Sequence, residues 1–249
     1  RRQVGIPPKQ AGFRSGNSAE AQVLALVETL RARARNGQDT YVLFLDLQKA
    51  YDSVHRDALG RVLKGMGMPA HFVDFVIKWF NQRRSTVLVN SQRSASFPVS
   101  KGLPQGEILA PDLFNLFITT LQYFLDELQG YNGVEWPGRE AAGARRLTIK
   151  DLWYADDMAA LAATISQLQL ILDAVHLWSQ HWGVKIGFGD DKTALMFVPA
   201  SKEAQLDVGR KPPLLCGGVQ VRWVETYRYL GLLLRSDLKD ANIIGMLDA

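Results

Sequence analysis

The chain has 249 residues, of which 47% are hydrophobic and 22% charged, and its formal net charge is +4. This length and composition support a hydrophobic core and exclude a disordered or collagen-like sequence. The single cysteine, Cys216, excludes an intramolecular disulfide and a four-cysteine zinc site, and no apolar run is long enough to span a membrane. The slightly basic balance permits a nucleic-acid partner without requiring one.

The first half of the chain predicts a helix, a buried strand, two further helices and a hairpin. Residues 1–16 are typical of a loop, and the helix that follows has Asn17 as its N-cap and Glu20 at the capping-box position. Residues 41–45 form an unbroken apolar run that ends on Asp46, which predicts a strand buried on both faces. The later helices and hairpin strands are predicted at 56–66, 70–80, 86–90 and 95–99.

The second half alternates helices with short strands. A helix begins near Pro111, a residue suited to the first turn, and 129–146 is predicted as a loop. Further strands are predicted at 147–154, 158–161, 184–188, 193–198, 219–224 and 227–234, with a helix at 166–182. This mixed order favours an α+β fold with an antiparallel sheet backed by helices.

Three aspartates occupy positions where a strand ends. Asp46 follows the buried strand, and Asp156 and Asp157 lie at the tip of an apolar hairpin. Taken singly, each is more simply a turn residue or a strand cap. If the fold brings them together, they could hold two Mg²⁺ ions ~3.5–4 Å apart, the arrangement that catalyses phosphoryl transfer.

Several segments resemble, in the family's order, the motifs of reverse transcriptases from non-LTR retrotransposons. The YADD motif at residues 154–157 alone would be weak evidence for this family. The complete set of motifs, in the family's order and over nearly the whole chain, is strong evidence. The segments are residues 10–16 (QAGFRSG), 44–54 (FLDLQKAYDSV), 102–106 (GLPQG) with 109–111 and 113–115, 154–157 (YADD), 192–193 (KT) and 229–231 (YLG).

The resemblance implies a right-hand polymerase palm with partial fingers and no thumb. The implied division is partial fingers at 1–40, palm at 41–66, a fingers–palm connection at 67–101, and palm up to the primer-grip region at 102–249. The implied activity is RNA-directed DNA polymerisation, in which deoxynucleotides are added to a primer 3′-hydroxyl. The implied partners are an RNA template, a DNA primer and deoxynucleoside triphosphates, and the implied cofactor is two Mg²⁺ ions, with Mn²⁺ as a substitute.

The resemblance also implies residue roles. Asp46 and Asp156 would be the main metal ligands, with Asp157 as a third acidic group and the Leu47 carbonyl on the second ion. Tyr51 would be the steric gate that excludes a ribose 2′-hydroxyl. The remaining implied contacts are Gln105, Gly106 and Lys192 to the nucleotide, and Arg14, Tyr229, Leu230 and Gly231 to nucleic acid.

Two alternatives stay open. An RNA-dependent RNA polymerase shares the palm, but such enzymes usually place an aspartate five residues after the first one, where this chain has Tyr51. A palm that has lost catalysis and only binds RNA is the other. Four departures from the family pattern bear on it. Glu107 replaces a small or neutral residue, and Ala110 replaces a serine that would cap the next helix. Ser15 and Asn17 replace the more usual proline and arginine.

Overall fold

The computed structural model describes residues 5–137 and 147–238 of the chain. Within these residues the helices are α1 (Ala19–Arg35), α2 (Ala50–Ser53), α3 (Arg56–Gly65), α4 (Ala70–Asn81), α5 (Ala110–Asp126), α6 (Ile165–Trp182) and α7 (Lys202–Leu206), with a 3₁₀ turn at Val208–Arg210. The strands are β1 (Thr40–Leu45), β2 (Arg84–Ser85), β3 (Leu88–Val89), β4 (Gln92–Arg93), β5 (Phe97–Pro98), β6 (Val134–Glu135), β7 (Thr148–Ile149), β8 (Asp151–Tyr154), β9 (Asp157–Ala162), β10 (Ala194–Val198), β11 (Leu214–Cys216), β12 (Val219–Trp223), β13 (Thr226–Tyr229) and β14 (Leu232–Arg235). None of the described helices is long and apolar enough to cross a bilayer.

The apolar run before Asp46 forms the centre of a six-stranded sheet. In spatial order the strands are β11, β12, β10, β1, β9 and β8. Strand β1 pairs antiparallel with both β9 and β10, and the β10–β12 pair is parallel. All six residues of β1 are buried, as expected for a strand covered on both faces.

The sheet separates two hydrophobic clusters because side chains alternate along each strand. Leu43 and Leu45 face the larger cluster, which is covered by helices α3, α4, α5 and α6. Val42 and Phe44 face the smaller cluster, which is covered by α1 and the β13–β14 hairpin. This arrangement confirms the predicted α+β class with an antiparallel-dominated sheet backed by helices.

Two helix starts differ from the predictions. Helix α1 is capped by Ser18, whose hydroxyl accepts the Ala21 N–H at 3.1 Å, so Asn17 is not the N-cap. Helix α5 begins at Ala110 with Leu109 as its N-cap. Position 110 therefore lies inside the helix, and the prediction that alanine there removes a helix cap is wrong.

Some predicted strands are also wrong in extent. The 86–90 and 95–99 hairpin is instead two short ladders, with its turn at Asn90–Ser91, both at positive φ. The segment 227–234 is not one strand but the β13–β14 hairpin. The segment 184–188 makes only a single bridge, from Ile186 to Leu47. Part of the predicted 129–146 loop forms β6, while 138–146 lie outside the described residues.

Candidate active site

Strand β1 delivers Asp46 to the hairpin that carries the other two aspartates. Leu45, the last residue of β1, is paired with Met158 of β9. The β8–β9 hairpin closes with Tyr154 opposite Asp157, so Ala155 and Asp156 form its turn. The expected proximity of Asp46 to this hairpin is therefore observed, although their sequence positions are more than a hundred residues apart.

The backbone of Asp46 is fixed by two neighbours from the segment before β10. Its N–H donates to the Thr193 hydroxyl at 3.1 Å, and its carbonyl oxygen accepts the Gly187 N–H at 2.8 Å. Thr193 is itself buried. These bonds hold the end of β1 in one place. Thr193 belongs to the 192–193 motif, whereas Gly187 lies in a segment that was predicted only as a short strand.

The carboxylate of Asp46 is only half compensated. Its Oδ1 accepts a hydrogen bond from the Lys192 ammonium at 3.0 Å. Its Oδ2 is buried and has no hydrogen-bond partner. A buried carboxylate oxygen without a donor is costly, and a bound cation is one of the few groups that can offset this cost.

Burial and neighbouring negative charge raise the pKa values of Asp156 and Asp157. Burial is the main cause that raises the pKa of Asp156, and the negative charge of Asp46 adds to it. Desolvation, followed by the charges of Asp156 and Asp46, raises the pKa of Asp157 to about 6, against the opposing charge of Lys192. Neighbouring like charges with raised pKa values are typical of functional sites.

The aspartates are neighbours but do not form a finished coordination shell. Among the residues that the structure describes, no three acidic, histidine or cysteine side chains are gathered closely enough to hold an ion. The fold therefore brings the backbones of the three residues together without closing their side chains around a common point.

Tyr51 forms an aromatic wall next to these carboxylates. Its ring stacks on Phe114 with centroids 4.4 Å apart and meets Phe13 edge-on at 6.5 Å. Its hydroxyl oxygen is buried without a partner. Burial, then the charges of Asp156 and Asp112, raises the pKa of Tyr51.

The loop that carries Gln105 and Gly106 is attached to the Tyr51 segment. Leu103 N–H donates to the Tyr51 carbonyl, and Gly102 N–H donates to that of Val54, both at 2.9 Å. Gly102 has φ +89°, and a β-carbon there would lie 2.9 Å from Asp52 Cα, so only glycine fits. Beyond this anchor, Gln105 and Gly106 are exposed to solvent.

Arg56 stabilises this loop and was missed by sequence reasoning. The residue is only 3% exposed, and its guanidinium donates to the carbonyls of Val99, Gly102 and Phe80 at 2.6, 3.1 and 2.7 Å. No local pattern distinguishes an arginine of this kind from a surface one. Close by, Glu107 pairs with Arg83 at 2.6 Å, so this departure from the family pattern is neutralised.

The remaining predicted contacts have mixed outcomes. Arg14 donates to the backbone carbonyls of Pro7 and Gln10, so its guanidinium is already engaged within the N-terminal segment. The Tyr229 ring is only 2% exposed and lies 5.6 Å from the Phe44 ring, so burial withdraws it from contact with nucleic acid. Leu230 and Gly231 form the turn of the same hairpin, both at positive φ.

Tyr227 is a second hairpin tyrosine, and it packs on the strand that leads to Asp46. Its ring stacks on Phe44 with centroids 4.1 Å apart. Burial, followed by the charges of Asp157 and Asp46, raises the pKa of Tyr227. Its position two residues before Tyr229 on the strand is the only signal that could have indicated it.

Comparison with curated proteins identifies relatives among mobile elements. The chain is 28% identical over 240 residues to the RNA-directed DNA polymerase from mobile element jockey of Drosophila melanogaster, covering 92% of this chain and 23% of that protein. It is 26% identical to the retrovirus-related Pol polyprotein from type-1 retrotransposable element R2 of Nasonia vitripennis, covering 79% and 18% respectively. The chain thus spans about a quarter or less of these relatives.

Comparison with solved structures identifies the fold. The apo telomerase of Candida tropicalis superposes with a TM-score of 0.58 at 11% identity, covering 93% of this chain and 37% of that one. A form of it truncated from the C-terminal domain gives 0.57 at 13% identity. The family model described as reverse transcriptase (RNA-dependent DNA polymerase) matches residues 3–234. The chain therefore belongs to the reverse transcriptase family and has its polymerase palm fold.

Proposed function

We propose that this chain carries the polymerase active site of an RNA-directed DNA polymerase, adding deoxynucleotides to a primer 3′-hydroxyl on an RNA template. The observation that supports this most directly is the buried, unpartnered Oδ2 of Asp46 beside Asp156 and Asp157. Three carboxylates at adjacent strand ends, with only Lys192 paired to one of them, leave an excess of negative charge that divalent cations would offset. The chain covers about a quarter or less of its relatives, so the activity of the whole protein is proposed here and not shown by the similarity.

Reverse transcriptases generally depend on divalent metal ions, and the acidic residues of this chain fit that requirement. Carboxylate and carbonyl oxygens are the ligands Mg²⁺ prefers, and Asp46 Oδ2 is one such oxygen without a donor. We assign Asp46, Asp156, Asp157 and the Leu47 carbonyl to two Mg²⁺ ions, which Mn²⁺ can replace. When bound, the two ions supply the charge that stabilises the attacking and leaving oxygens of phosphoryl transfer.

The surrounding side chains select and orient the nucleotide. The rigidly stacked Tyr51 ring occupies the space below the incoming sugar, so a 2′-hydroxyl would collide with it. Gln105 and Gly106 are exposed on the anchored loop and contact the nucleotide and the template base. Lys192, half exposed at the edge of the cleft, contacts phosphate oxygens or donates a proton to pyrophosphate.

The nucleic-acid contacts are assigned to the two ends of the described chain. Arg14 and the Leu230–Gly231 turn are the proposed contacts to template and primer. The proposed division is partial fingers at 1–40, palm at 41–66, a fingers–palm connection at 67–101, and palm up to the primer-grip region at 102–249. Helix α1 packs directly on the palm strands β1 and β8. Residues 1–40 therefore support the palm sheet in addition to forming part of the proposed fingers.

Primer extension tests this proposal. The complete protein is given a DNA primer annealed to an RNA template, Mg²⁺ and the four deoxynucleotides, beside an Asp46→Asn variant and an Asp190→Asn control. Asp190 is a suitable control because its carboxylate is 93% exposed and pairs with Arg222. The expected result is extension by the parent and the control only. Binding of primer–template without extension, in Mg²⁺ or in Mn²⁺, would favour the RNA-binding alternative.

A further inference from the structure

An extended segment, residues 9–12, crosses the base of the turn that carries Asp156 and Asp157. We call it the strap. Gln10 makes a parallel bridge with Trp153 of β8, and Ala11 N–H donates to the Trp153 carbonyl at 2.9 Å. Gln10 is fully buried. The strap therefore lies alongside the strand that leads into the catalytic turn.

The side-chain amide of Gln10 forms hydrogen bonds with both the N–H and the C=O of Ala155. Its Oε1 accepts the Ala155 N–H at 2.8 Å, and its Nε2 donates to the Ala155 carbonyl at 3.0 Å. The same Oε1 also accepts the Gly12 N–H at 2.9 Å. One amide thus pairs with the N–H and the C=O of a single turn residue, as a neighbouring strand would, although residue 10 is 145 positions away.

Both ends of the strap are fixed to the palm. Lys9 forms an ion pair at 2.7 Å with Asp151, a buried residue of β8. At the other end, the Asn115 amide donates to the Gly12 carbonyl at 2.8 Å. A β-carbon on Gly12 would lie 2.2 Å from the Ala155 nitrogen, so the strap approaches the turn as closely as glycine permits. Gln10 is therefore not free to move with the turn.

The turn needs such support for two reasons. Ala155 has φ +55°, a conformation that residues other than glycine adopt at a cost. It also lies immediately before two carboxylates that repel each other and Asp46. Without an external restraint, both the strain and the repulsion would favour rearrangement of the turn.

We propose that Gln10 is a positioning residue of the polymerase site: its amide fixes the Ala155 peptide and so the directions in which Asp156 and Asp157 leave the turn. The catalytic consequence rests on the proposed function, while the restraint on the turn does not. Gln10 itself touches neither substrate nor cation. By fixing the turn, Gln10 reduces the movement that Asp156 and Asp157 must make when substrate binds. This matters because catalysis is sensitive to small displacements of the reacting groups.

The test compares two buried glutamines in the complete protein. Gln10→Met replaces the amide with an apolar chain of similar length. Gln122→Met is the matched control, because Gln122 is equally buried and, within the described residues, neither of its amide atoms has a partner. Amide hydrogen exchange at Ala155 and steady-state primer extension are measured for both variants and the parent.

For Gln10→Met we expect exchange at Ala155 to accelerate by at least ~10-fold while the β9 amides keep their protection. We expect kcat to fall by about 10- to 100-fold with the KM for primer–template unchanged, since the restraint acts on geometry rather than on binding. Gln122→Met should match the parent in both measurements. Unchanged exchange at Ala155, or a kcat equal to that of Gln122→Met, would overturn the proposal.

The proposal stays testable if Gln10→Met does not fold or if the parent protein is inactive. If Gln10→Met does not fold, Asn115→Leu removes the bond to the far end of the strap and leaves Gln10 in place. A smaller acceleration at Ala155 is then expected, and unchanged exchange there refutes the strap. If the parent protein extends no primer, the proposed polymerase function fails, but the exchange measurement still decides whether Gln10 holds the turn.

Discussion

Gly187 N–H donates to the Asp46 carbonyl oxygen at 2.8 Å, and a β-carbon at position 187 would lie 2.1 Å from Asp46 Oδ2. No real β-carbon approaches an oxygen that closely. The orientation of the Asp46 carboxylate therefore depends on the absence of a side chain in a loop about 140 residues downstream. Gly187 therefore contributes to the candidate site because it has no side chain.

Gly187→Ala should reduce primer extension by at least ~10-fold, because either the carboxylate rotates away or the 186–188 loop moves. The backbone of Gly187 is not in the left-handed region, so alanine adds a clash rather than backbone strain. Gly65→Ala is the control, since nothing lies within 4 Å of its β-carbon position and alanine favours the helix by ~0.5–1 kcal/mol. Equal extension rates for the two variants would contradict this role for Gly187.

Asp156→Asn should lower the primer-extension rate by at least ~10²-fold, because it removes the charge of a proposed metal ligand. The side chain keeps its size, so the fold should survive, and circular dichroism and thermal unfolding verify that. Asp190→Asn serves again as the control for the loss of one carboxylate. A variant that keeps more than about a tenth of the parent rate would exclude Asp156 from the metal site.

The resemblance to reverse transcriptases predicted the position of Asp46 beside the YADD turn, whereas the groups that position these residues and the 102–106 loop could not be predicted. The strands themselves are local patterns: β1 ends immediately before Asp46, and β9 begins at Asp157. Gln10, Gly187 and Arg56 act through bonds or close approaches to backbone atoms far along the chain. Such contacts carry no periodicity and no composition signal, so only the folded coordinates reveal them.

The error at Tyr229 has a similar cause. The motif 229–231 resembles a nucleic-acid contact, but residues along a strand face alternate sides, and Tyr229 faces the smaller hydrophobic cluster. Which side of a two-stranded hairpin is buried depends on where the hairpin docks. Here it docks on Phe44, which leaves the turn, rather than the tyrosine ring, at the surface.

Asp157→Asn should stabilise the protein at neutral pH when no divalent cation is present. The pKa of Asp157 is raised from 3.8 to about 6 in the folded state, so between about pH 4 and pH 6 the native state binds more protons than the unfolded state. Stability therefore falls as pH rises through that window, and the loss is complete above it. Asparagine removes the charge responsible.

The measurement is the thermal unfolding midpoint of parent and variant from pH 3.5 to pH 7.5 in a chelating buffer. The variant should exceed the parent above about pH 6 and converge with it toward pH 4. Added Mg²⁺ should raise the midpoint of the parent more than that of the variant, since a ligand stabilises the state that binds it. A difference that is independent of pH would show that the charge of Asp157 is not what destabilises the native state.

Tyr51→Ala should admit ribonucleotides. The ring is held between Phe114 and Phe13, so it cannot swing aside when a 2′-hydroxyl approaches. Removing it opens space below the sugar, and the ratio of kcat/KM for a deoxynucleotide to that for the matching ribonucleotide should fall by at least ~10-fold, the discrimination available from one steric clash. Tyr51→Phe keeps the ring and loses only a hydroxyl that has no partner, so it should discriminate as the parent does. If Tyr51→Ala rejects ribonucleotides as strongly as Tyr51→Phe, the gate lies elsewhere in the cleft.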